Sequence, residues 1–308
     1  MHAAVVHSFG VPPRYEQFSD PVAHGKGEVV VDVIAAGLHP RVRSQADGSH
    51  YTSTGELPLI PGMDAVVQAP DGRLHYTILD DTSSGTLAER TVMDAGRSIV
   101  LPTYADPVLV AAAMNPAMAS WVALRRRIDF KRGQSVLVLG ATGNAGRMTV
   151  QVAKRLGAGH VIGAGRDAAA LEALGPLGAD EVLLLDQLAE AANVDVVIDY
   201  LWGEPAAAGV VDMISAREGR SEPIAWIQIG SVAGPTSPIP SAALRAARLQ
   251  IVGSGIGSVP GRDWLKELPR LVEHVIQGEF DVRARAVPLK DVEQVWRTST
   301  DDRIVLIP

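Results

Sequence analysis

The sequence contains no cysteine among its 308 residues. This absence excludes disulfides, thiolate nucleophiles and zinc sites built on cysteine ligands. A catalytic metal would have only histidine, aspartate and glutamate as ligands. None of the eight histidines belongs to a His-x-x-x-His or His-Glu-x-x-His pair. We therefore expect no metal site, and in particular no catalytic zinc.

The chain also lacks the charge pattern of a nucleic-acid-binding protein. Its net charge is -7, and its one basic run, Arg125 to Arg127 followed by Lys131 and Arg132, is short. Proteins that bind duplexes carry a basic stripe because phosphate neutralisation dominates their affinity. We therefore expect no nucleic-acid partner and interpret the run as a solvated helix end.

We also expect no membrane or secretion signal. A membrane-spanning helix needs roughly 20 apolar residues, and we expect no apolar run of that length here. The N-terminal segment MHAAVVHSFG has no basic flank followed by a long apolar core, so it does not resemble a secretory signal. The expectation is a cytoplasmic protein that makes no membrane contact.

The first hundred residues predict a β-rich unit. The clearest strand is Glu28 to Ala36 (EVVVDVIAA), which is rich in β-branched residues and is followed by Gly37 and Pro40. We predict another strand at Gly85 to Met93, and a polar stretch from Arg41 to Thr54. Many short strands without helical periodicity indicate a mainly β domain.

After Asp106 an alanine-rich helical segment, with Pro116 as a kink or a fresh helix start, leads into a different pattern. Apolar runs then alternate with amphipathic segments, and a helix from Asp263 to Gln277 and a last strand, RIVLIP, follow. Runs without polar alternation are typical of strands buried on both faces of a parallel sheet. The pattern predicts an α/β protein with a doubly wound Rossmann domain. Six strands are expected there: 135–139, 160–163, 181–185, 194–199, 225–230 and 249–253.

The strand SVLVL runs directly into the turn GATGNAG (140–146) and then into a helical segment. Ala141 replaces the first glycine of the G-x-G-x-x-G fingerprint. Gly143 would let the backbone approach a pyrophosphate, and Gly146 would let the helix pack against the strand. A helix N-terminus favours negative charge. A tight turn without a ligand is the alternative. The predicted phosphate site comprises Ala141, Thr142, Gly143, Asn144, Ala145 and Gly146.

The end of the second strand of this domain indicates which cofactor is bound. An NAD enzyme places Asp or Glu there, about 20 residues past the turn, to bind the ribose hydroxyls. Here Gly165 occupies the acidic position and Arg166 follows, whose guanidinium suits a 2′-phosphate. We therefore predict NADPH, bound with the help of Gly165 and Arg166. Asp167 leaves NADH open, because a register shift of two would place a carboxylate at the strand end.

With these features in place, the chain resembles the zinc-independent quinone oxidoreductase-like branch of the medium-chain dehydrogenase/reductase superfamily. The resemblance extends over essentially the whole length and follows the family's order of motifs. The segments that carry it are VIAAGLHP (33–40), LIPGMDAVV (59–67), SGTLAERTVM (84–93), AMASWVAL (117–124) and LGADEVL (177–183).

The resemblance implies a GroES-like catalytic domain, residues 1–115 and 254–308, a Rossmann nucleotide-binding domain, residues 116–253, and a cleft between them. It implies hydride transfer from NADPH to a quinone or a conjugated enone. The zinc-dependent branch has Cys and His-Glu where this chain has Leu38-His39 and Met63-Asp64. Hydride transfer is thus expected without a Lewis-acid metal.

Two cofactor residues common in the family are absent here. The lysine beyond the second strand corresponds to Ala170, and the tyrosine after the "LGADxVIN" motif corresponds to Leu185. Both commonly help to hold the NADPH phosphate, so Arg166 would carry more of that task. The segment APDGRLHYTILDD (69–81) is shorter than in the family, which implies a trimmed β domain.

Further cofactor contacts are expected near the strand ends. By resemblance, Ser120 corresponds to a threonine that would hydrogen-bond the nicotinamide carboxamide, although a helical serine can also bond a preceding carbonyl. Ligands of doubly wound sheets bind at the carboxyl ends of the strands. The segments that follow the fifth and sixth strands therefore add Gly230, Ser231, Val232, Ser254 and Gly255.

Two side chains are candidates for the chemistry on the substrate, which needs oxyanion stabilisation and a proton. His39 replaces the asparagine of the family's "GVNP" segment and would donate to the substrate oxygen or contact the nicotinamide ribose. Tyr51 matches a tyrosine of the "SGxY" stretch and would polarise the carbonyl. A packing or surface role is the alternative for each, and for a quinone the proton can come from water.

Two other functions remain open from the sequence alone. One is an enoyl-thioester reductase, which would need a long groove with a basic rim for a carrier arm. The other is a protein that binds NADPH without turnover and acts as a sensor or structural subunit. The resemblance also implies a homodimer built through the nucleotide domain.

Overall fold

The structure is a computed structural model that describes residues 1–298 and 300–308. The chain divides into two compact units. The terminal unit comprises residues 1–115 and 265–308, and the central unit comprises residues 116–264. The second boundary was predicted at 253/254, whereas the units divide at 264/265, inside the helix Gly261–Ile276. The loop after the sixth parallel strand therefore belongs to the central unit.

The strands of the described residues are numbered here in chain order. They are β1 (His2–Val5), β2 (Arg14–Gln17), β3 (Glu28–Gly37), β4 (Asp64–Gln68), β5 (Leu74–Ile78), β6 (Arg90–Asp94), β7 (Ser98–Val100), β8 (Ser135–Leu139), β9 (His160–Gly165), β10 (Glu181–Leu184), β11 (Val196–Asp199), β12 (Ile224–Gln228), β13 (Leu249–Gly253), β14 (Ala284–Pro288) and β15 (Arg303–Ile307).

The α-helices of the described residues are numbered in the same way. They are α1 (Pro40–Ala46), α2 (Pro107–Val122), α3 (Asn144–Leu156), α4 (Ala168–Glu172), α5 (Gly203–Ala216), α6 (Ser241–Ala246), α7 (Gly261–Ile276) and α8 (Val292–Val295).

The central unit contains the predicted doubly wound parallel sheet. Its strand order is β10-β9-β8-β11-β12-β13, and every pairing is parallel. The chain builds outward from β8 to one edge and then from β11 to the other, so the topological switch point lies between β8 and β11. Ligands of such sheets bind in the crevice at the carboxyl ends of the strands flanking this point.

The apolar runs predicted as strands become buried because helices cover both faces of such a sheet. Val136 to Leu139 in β8 and Val197 to Ile198 in β11 have 0% exposure. Burial of each such side chain contributes about 1.5–3 kcal/mol relative to leaving it exposed. Helix α3 ends at Gly157, which has a left-handed φ of 96°, the conformation that glycine adopts most readily.

The terminal unit is built around a mixed sheet. Its order is β14-β15-β3-β4-β5-β7, with β6 also paired to β3. Strand β15 pairs antiparallel with β3, so segments from both parts of the chain share one sheet. Strand β14 pairs parallel with β15. The sheet's inner residues and helix α8 form an apolar core that includes Val31, Val67 and Trp296.

Two sequence predictions in the terminal unit were wrong in detail. The segment 85–93 is a regular strand only from Arg90, because its first part makes isolated bridges through Ala88 and its neighbour Ser84. The polar stretch 41–54 begins with helix α1, in which Pro40 occupies the first turn. Proline lacks an N–H and is favoured there. Its role as a helix start was missed because the residue was interpreted only as the end of β3.

The expectation about long apolar runs was also wrong. Helix Pro107–Arg127, with 21 residues and a mean hydropathy of 1.5, is long and apolar enough to cross a membrane by length and composition. Pro116 was predicted as a kink or a fresh helix start, and the fresh start is excluded because the helix continues through it. Of its most apolar window 72% is buried inside the protein, which is typical of a core helix.

Candidate cofactor site and the buried His39 cluster

The predicted phosphate turn joins β8 to α3 in the central unit. Gly140 has a φ of 79°, and a Cβ at Gly146 would lie 2.2 Å from the Gly140 carbonyl oxygen. Helix α3 and strand β8 therefore approach each other so closely at Gly146 that only glycine fits there. Ala141 has 0% exposure, so its side chain faces the core. A Cβ at Gly143 would meet only the Gly140 oxygen, at 3.6 Å, so this glycine is not required by packing.

The N-terminus of α3 has unpaired donors. The N-cap residue Gly143 provides no side-chain cap, and in the described residues the backbone N–H groups of Asn144, Ala145 and Gly146 have no acceptor. The first hydrogen bond at this end of α3 is donated by the Arg147 N–H to the Gly143 oxygen, at 2.8 Å. Three uncapped N–H groups at the positive end of a helix of 13 residues suit a pyrophosphate.

The end of β9 lies against this turn. Gly165 is the buried last residue of β9, and a Cβ there would lie 3.3 Å from Cγ2 of Thr142. The exposed Arg166 comes next, and in the part of the chain that the structure describes its guanidinium makes no hydrogen bond or ion pair. A cation without a partner therefore stands beside the position where an NAD enzyme has its carboxylate.

Asp167 does not occupy that position. Its carboxylate Oδ1 accepts a hydrogen bond from the Ala170 N–H at 3.2 Å and thereby caps helix α4. Asp is among the preferred N-cap residues for this reason. The register shift that would have placed an acid at the strand end does not occur, because β9 ends at Gly165.

Ala170 and Leu185 stand where the family has its phosphate-binding lysine and tyrosine. Ala170 lies in α4 and has no side-chain donor. Leu185 packs against the apolar core of the central unit. Of Arg166, Ala170 and Leu185, Arg166 is thus the residue with a cationic side chain.

The segment after β12 packs on the backbone after β11. A Cβ at Gly230 would lie 2.7 Å from the Tyr200 oxygen, and the Val232 N–H donates to that oxygen at 3.2 Å. Ser231 is exposed, and Val232 is 83% exposed. This turn therefore presents a polar and an apolar side chain to solvent at the carboxyl edge of the sheet.

The segment after β13 is more enclosed. Ser254 is 8% exposed, and its N–H donates to the Gln228 oxygen at 2.8 Å. The Gly255 N–H donates to Oγ of Ser258 at 2.9 Å. These bonds fix the turn at the same edge of the sheet as the β12 turn.

Ser120 lies in a buried hydroxyl network of the central unit. Its side chain is fully buried, and Oγ donates to the Ala117 oxygen at 3.4 Å. Tyr200 lies nearby: its hydroxyl is 2.6 Å from Oγ1 of Thr149, and burial raises its pKa to about 12, while hydrogen bonds from Thr149 and Ser120 oppose the rise. The Ser120 hydroxyl thus makes at least one of its hydrogen bonds within the protein.

His39 and Asp64 form a buried pair in the terminal unit. Nε2 of His39 lies 2.9 Å from Oδ1 of Asp64, and Tyr76 donates its hydroxyl hydrogen to Oδ2 at 2.8 Å. Burial lowers the pKa of His39 and raises that of Tyr76 well above 10. A neutral His39 donates from Nε2 to the carboxylate, which leaves Nδ1 as an acceptor. Within residues 1–298 and 300–308, this buried Nδ1 has no partner.

Tyr51 lies in the segment that follows α1. It is 72% exposed, and its ring contacts the ring of His50 with centroids 4.2 Å apart. His50 Nδ1 is 2.8 Å from Oγ1 of Thr52, which also bonds Asp81. The loop that carries Tyr51 is thereby tied to the body of the terminal unit, although the Tyr51 side chain itself is largely exposed.

Sequence reasoning missed several partners of the candidate residues. Asp64 was noted only as a replacement for a metal ligand, and Tyr76 was not considered. Asp199, at the end of the run VDVVID, was not considered either, although a carboxylate that closes an apolar strand is a visible signal. Its carboxylate is fully buried and accepts three hydrogen bonds.

Metal-ligand clusters are a separate question. Among the described residues, no three His, Asp or Glu side chains converge in a way that could hold a metal ion. The His39–Asp64 pair, which corresponds to two ligand-bearing segments of the zinc-dependent branch, lacks a third ligand.

Comparisons with known proteins extend over the whole chain. The chain is 29% identical to a probable NADPH-dependent quinone reductase of Emericella nidulans, with 100% of each covered. It is 27% identical to a trans-enoyl reductase of Aspergillus terreus over 68% of this chain and 63% of that protein. The structure matches a quinone oxidoreductase of Thermus thermophilus, solved alone and with NADPH, at a TM-score of 0.79 and 25% identity, with 100% of each chain covered.

No protein-family model matches the chain. The full-length relative, the full-length structural match and the predicted order of motifs nevertheless agree with one another. The predicted fold class is confirmed, with a Rossmann sheet and a separate mixed sheet of the GroES-like type. Over its whole length the chain is thus similar to quinone oxidoreductases of the medium-chain dehydrogenase/reductase superfamily, the family that its motifs resemble.

Proposed function

We propose that this protein is a zinc-free oxidoreductase that transfers hydride from NADPH to a quinone or a conjugated enone. The observation that carries the proposal is the edge formed by the uncapped N-terminus of α3 and the end of β9. It combines a site for a pyrophosphate with an unpaired guanidinium and no carboxylate at the strand end. The full-length likeness to an NADPH-dependent quinone reductase supports the same assignment.

Bound NADPH would supply the hydride, and the chain's own residues would hold and orient it. The N–H groups of Asn144, Ala145 and Gly146 would bind the pyrophosphate, and Arg166 the 2′-phosphate. We propose that the turns after β12 and β13, through Gly230 to Val232 and Ser254 to Gly255, contact the nicotinamide half. Ser120 is proposed to fix the carboxamide through its remaining hydrogen-bonding capacity.

The division of labour between the units is part of the proposal. The central unit would be the nucleotide-binding domain, and the terminal unit the catalytic domain. In the terminal unit, His39 would use its unpartnered Nδ1 to accept a hydrogen bond from a hydroxyl of cofactor or substrate. Tyr51 would donate to the substrate oxygen, and water would supply the proton for a quinone.

The setting in which the protein works is a separate part of the proposal. We propose a homodimer in the cytoplasm, with a small-molecule acceptor and neither nucleic acid nor membrane as a partner. The net charge of -7 supports the absence of a nucleic-acid partner, and the buried position of the long apolar helix supports the absence of a membrane partner.

A second candidate function is the reduction of an enoyl thioester. The likeness to a trans-enoyl reductase of Aspergillus terreus favours it. It differs from the first in the acceptor, since both reactions use the same cofactor edge.

The test is the oxidation of NADPH by the purified protein with benzoquinone, phenanthrenequinone, a small enone and an enoyl thioester. We expect turnover with a quinone or the small enone. Turnover with the thioester alone would favour the second candidate. Tight NADPH binding without turnover on any acceptor would refute both and indicate a sensor or structural subunit.

A further inference from the structure

Trp202, which follows β11 in the central unit, has an unusual backbone conformation. Its φ is 53° and its ψ is -155°. Among the described residues, every other positive φ belongs to a glycine. A bulky residue is a true outlier there, and the neighbouring region of φ and ψ is accessible almost only to glycine.

A network of buried contacts holds Trp202 in this conformation. Oδ1 of Asp199 accepts hydrogen bonds from the N–H groups of Leu201, at 2.8 Å, and Trp202, at 3.0 Å. Oδ2 accepts from Nε1 of Trp226 at 3.0 Å, so both carboxylate oxygens are used. On the other side, Trp202 forms a parallel bridge with Gly234. Together these contacts hold the turn in its strained conformation.

The strained residue stands at the switch point of the sheet. Strands β11 and β8 are neighbours, with Asp199 opposite Leu139, and the Tyr200 N–H donates to the Leu139 oxygen at 3.2 Å. A Cβ at Gly140, the first residue of the phosphate turn, would lie 3.1 Å from Cδ2 of Leu201. Trp202 follows Leu201 in the chain and therefore lies at the edge of the sheet that flanks the phosphate turn.

The indole is only partly buried. It packs against the apolar core of the central unit, yet a fraction of it stays open to solvent. Strain that persists at the edge of a binding crevice is typical of residues positioned for a ligand.

We propose that Trp202 is a cofactor-binding residue whose indole forms the β11 side of the crevice and packs against the bound dinucleotide. The inference rests on the proposed function, because it takes NADPH as the ligand of that crevice. The aromatic face would contact the flat and ribose parts of the cofactor, whereas the helix α3 N–H groups would bind its phosphates. The geometry assigns Asp199 as the residue that holds the Trp202 backbone in the conformation that carries the indole.

The test replaces Trp202 and measures NADPH affinity and Tm separately. Trp202→Gly removes the indole and relaxes the strained backbone. We expect the Kd for NADPH to rise about tenfold, equivalent to about 1.4 kcal/mol. Relief of the backbone strain should offset part of the packing lost from the core, so the variant should still unfold cooperatively. Trp202→Phe retains an aromatic face, and its Kd should stay within about threefold of the unaltered protein.

A matched control is Val211→Gly, on the exposed side of α5, the helix that begins after Trp202. Glycine within a helix costs about 1 kcal/mol, so Tm should fall while the Kd for NADPH stays constant. This separates a general weakening of α5 from the loss of a cofactor contact. Should Trp202→Gly fail to fold, Trp202→Asn replaces it, because asparagine tolerates positive φ without supplying an aromatic ring.

NADPH binding by the glycine or asparagine variant with unchanged Kd would overturn the inference and leave the proposed function standing. Failure of the unaltered protein to bind NADPH would instead overturn the proposed function, and the inference with it. Quenching of tryptophan fluorescence is a second readout. NADPH should quench less emission in Trp202→Phe than in the unaltered protein, and equal quenching would contradict the contact.

Discussion

Nε2 of His39 lies 2.9 Å from Oδ1 of Asp64, and each of the two side chains is 1% exposed. The pair fixes the protonation of the imidazole. Burial, the largest influence, lowers the pKa of His39 below its ordinary 6.5, although the hydrogen bond with Asp64 opposes it. The neutral ring donates from Nε2 and leaves Nδ1 to accept. This assignment favours contact with a hydroxyl over donation to a substrate oxygen.

The first prediction concerns stability and pH. The pKa of His50 is lowered from 6.5 to about 4, mainly by burial, and that of His39 is also lowered. The unfolded chain therefore binds protons before the folded one does, so stability is fully present above pH 6.5 and decreases as pH falls toward 4. Urea unfolding between these values should show this slope. His50→Gln should flatten it, and a slope unchanged by this variant would contradict the assignment to His50.

The second prediction separates packing glycines from ligand glycines. Gly143→Ala adds a Cβ that meets only the Gly140 oxygen, at 3.6 Å, so Tm should change little. The same Cβ would obstruct the approach of a pyrophosphate, and the Kd for NADPH should rise tenfold or more, about 1.4 kcal/mol or more. Isothermal titration would measure it. Gly175→Ala, which meets no atom within 4 Å, is the matched control and should alter neither quantity.

The third prediction concerns cofactor choice. Arg166→Ala removes the unpaired guanidinium and should weaken NADPH by about tenfold to a hundredfold, since hydrogen bonds to charged groups contribute about 1.5–3 kcal/mol. NADH has no 2′-phosphate, so its Kd should change little. The measurement is the ratio of the two dissociation constants.

Asp167→Ala is the control for the third prediction. It removes the cap of α4 next to Arg166 and should cost about 0.5–2 kcal/mol of stability without changing the preference between the cofactors. Equal losses of NADPH and NADH binding in Arg166→Ala would refute the 2′-phosphate assignment.

The fourth prediction concerns Tyr51. Tyr51→Phe keeps the ring and removes the hydroxyl, so kcat should fall about tenfold or more if the phenol stabilises developing charge in the transition state. Stability should not change, because the side chain is 72% exposed. An unchanged kcat together with a raised KM would leave Tyr51 only as a wall for the acceptor.

The fifth prediction is independence from metal. Activity should survive prolonged treatment with EDTA, and elemental analysis should find no stoichiometric zinc. The reason is the ligand supply: the chain has no cysteine, and Asp64 with His39 offers only two ligands. Loss of activity on chelation, restored by zinc, would require a third ligand that the described residues do not bring together.

The fold of the central unit follows closely from the sequence. Strands β8 and β13 have the predicted bounds, because an apolar run between polar turns leaves little freedom in where a buried strand begins and ends. Gly157 ends α3 in the left-handed conformation that glycine adopts most readily at helix ends. The phosphate turn could be recognised because its glycines, strand and helix are contiguous in the chain.

The parts that escaped prediction depend on contacts between distant residues. Asp64 meets His39, and Tyr76 meets Asp64, only when β4 pairs with β3 and β5 pairs with β4. Trp202 is an ordinary residue in the sequence, and its strained backbone arises from the buried carboxylate of Asp199. No local propensity records such constraints, since they are imposed by tertiary packing.

The pairing of β15 with β3 has a consequence for how the protein is made. Strand β3 leaves the ribosome early, whereas β15 is translated near the end, after the whole central unit. The parallel sheet, formed by residues 135–253, can close while part of the β3 edge still lacks its partner. An unpaired strand edge is a template for aggregation. Shortening the chain before Arg303 should therefore impair solubility in the cell more than the loss of so few residues would suggest.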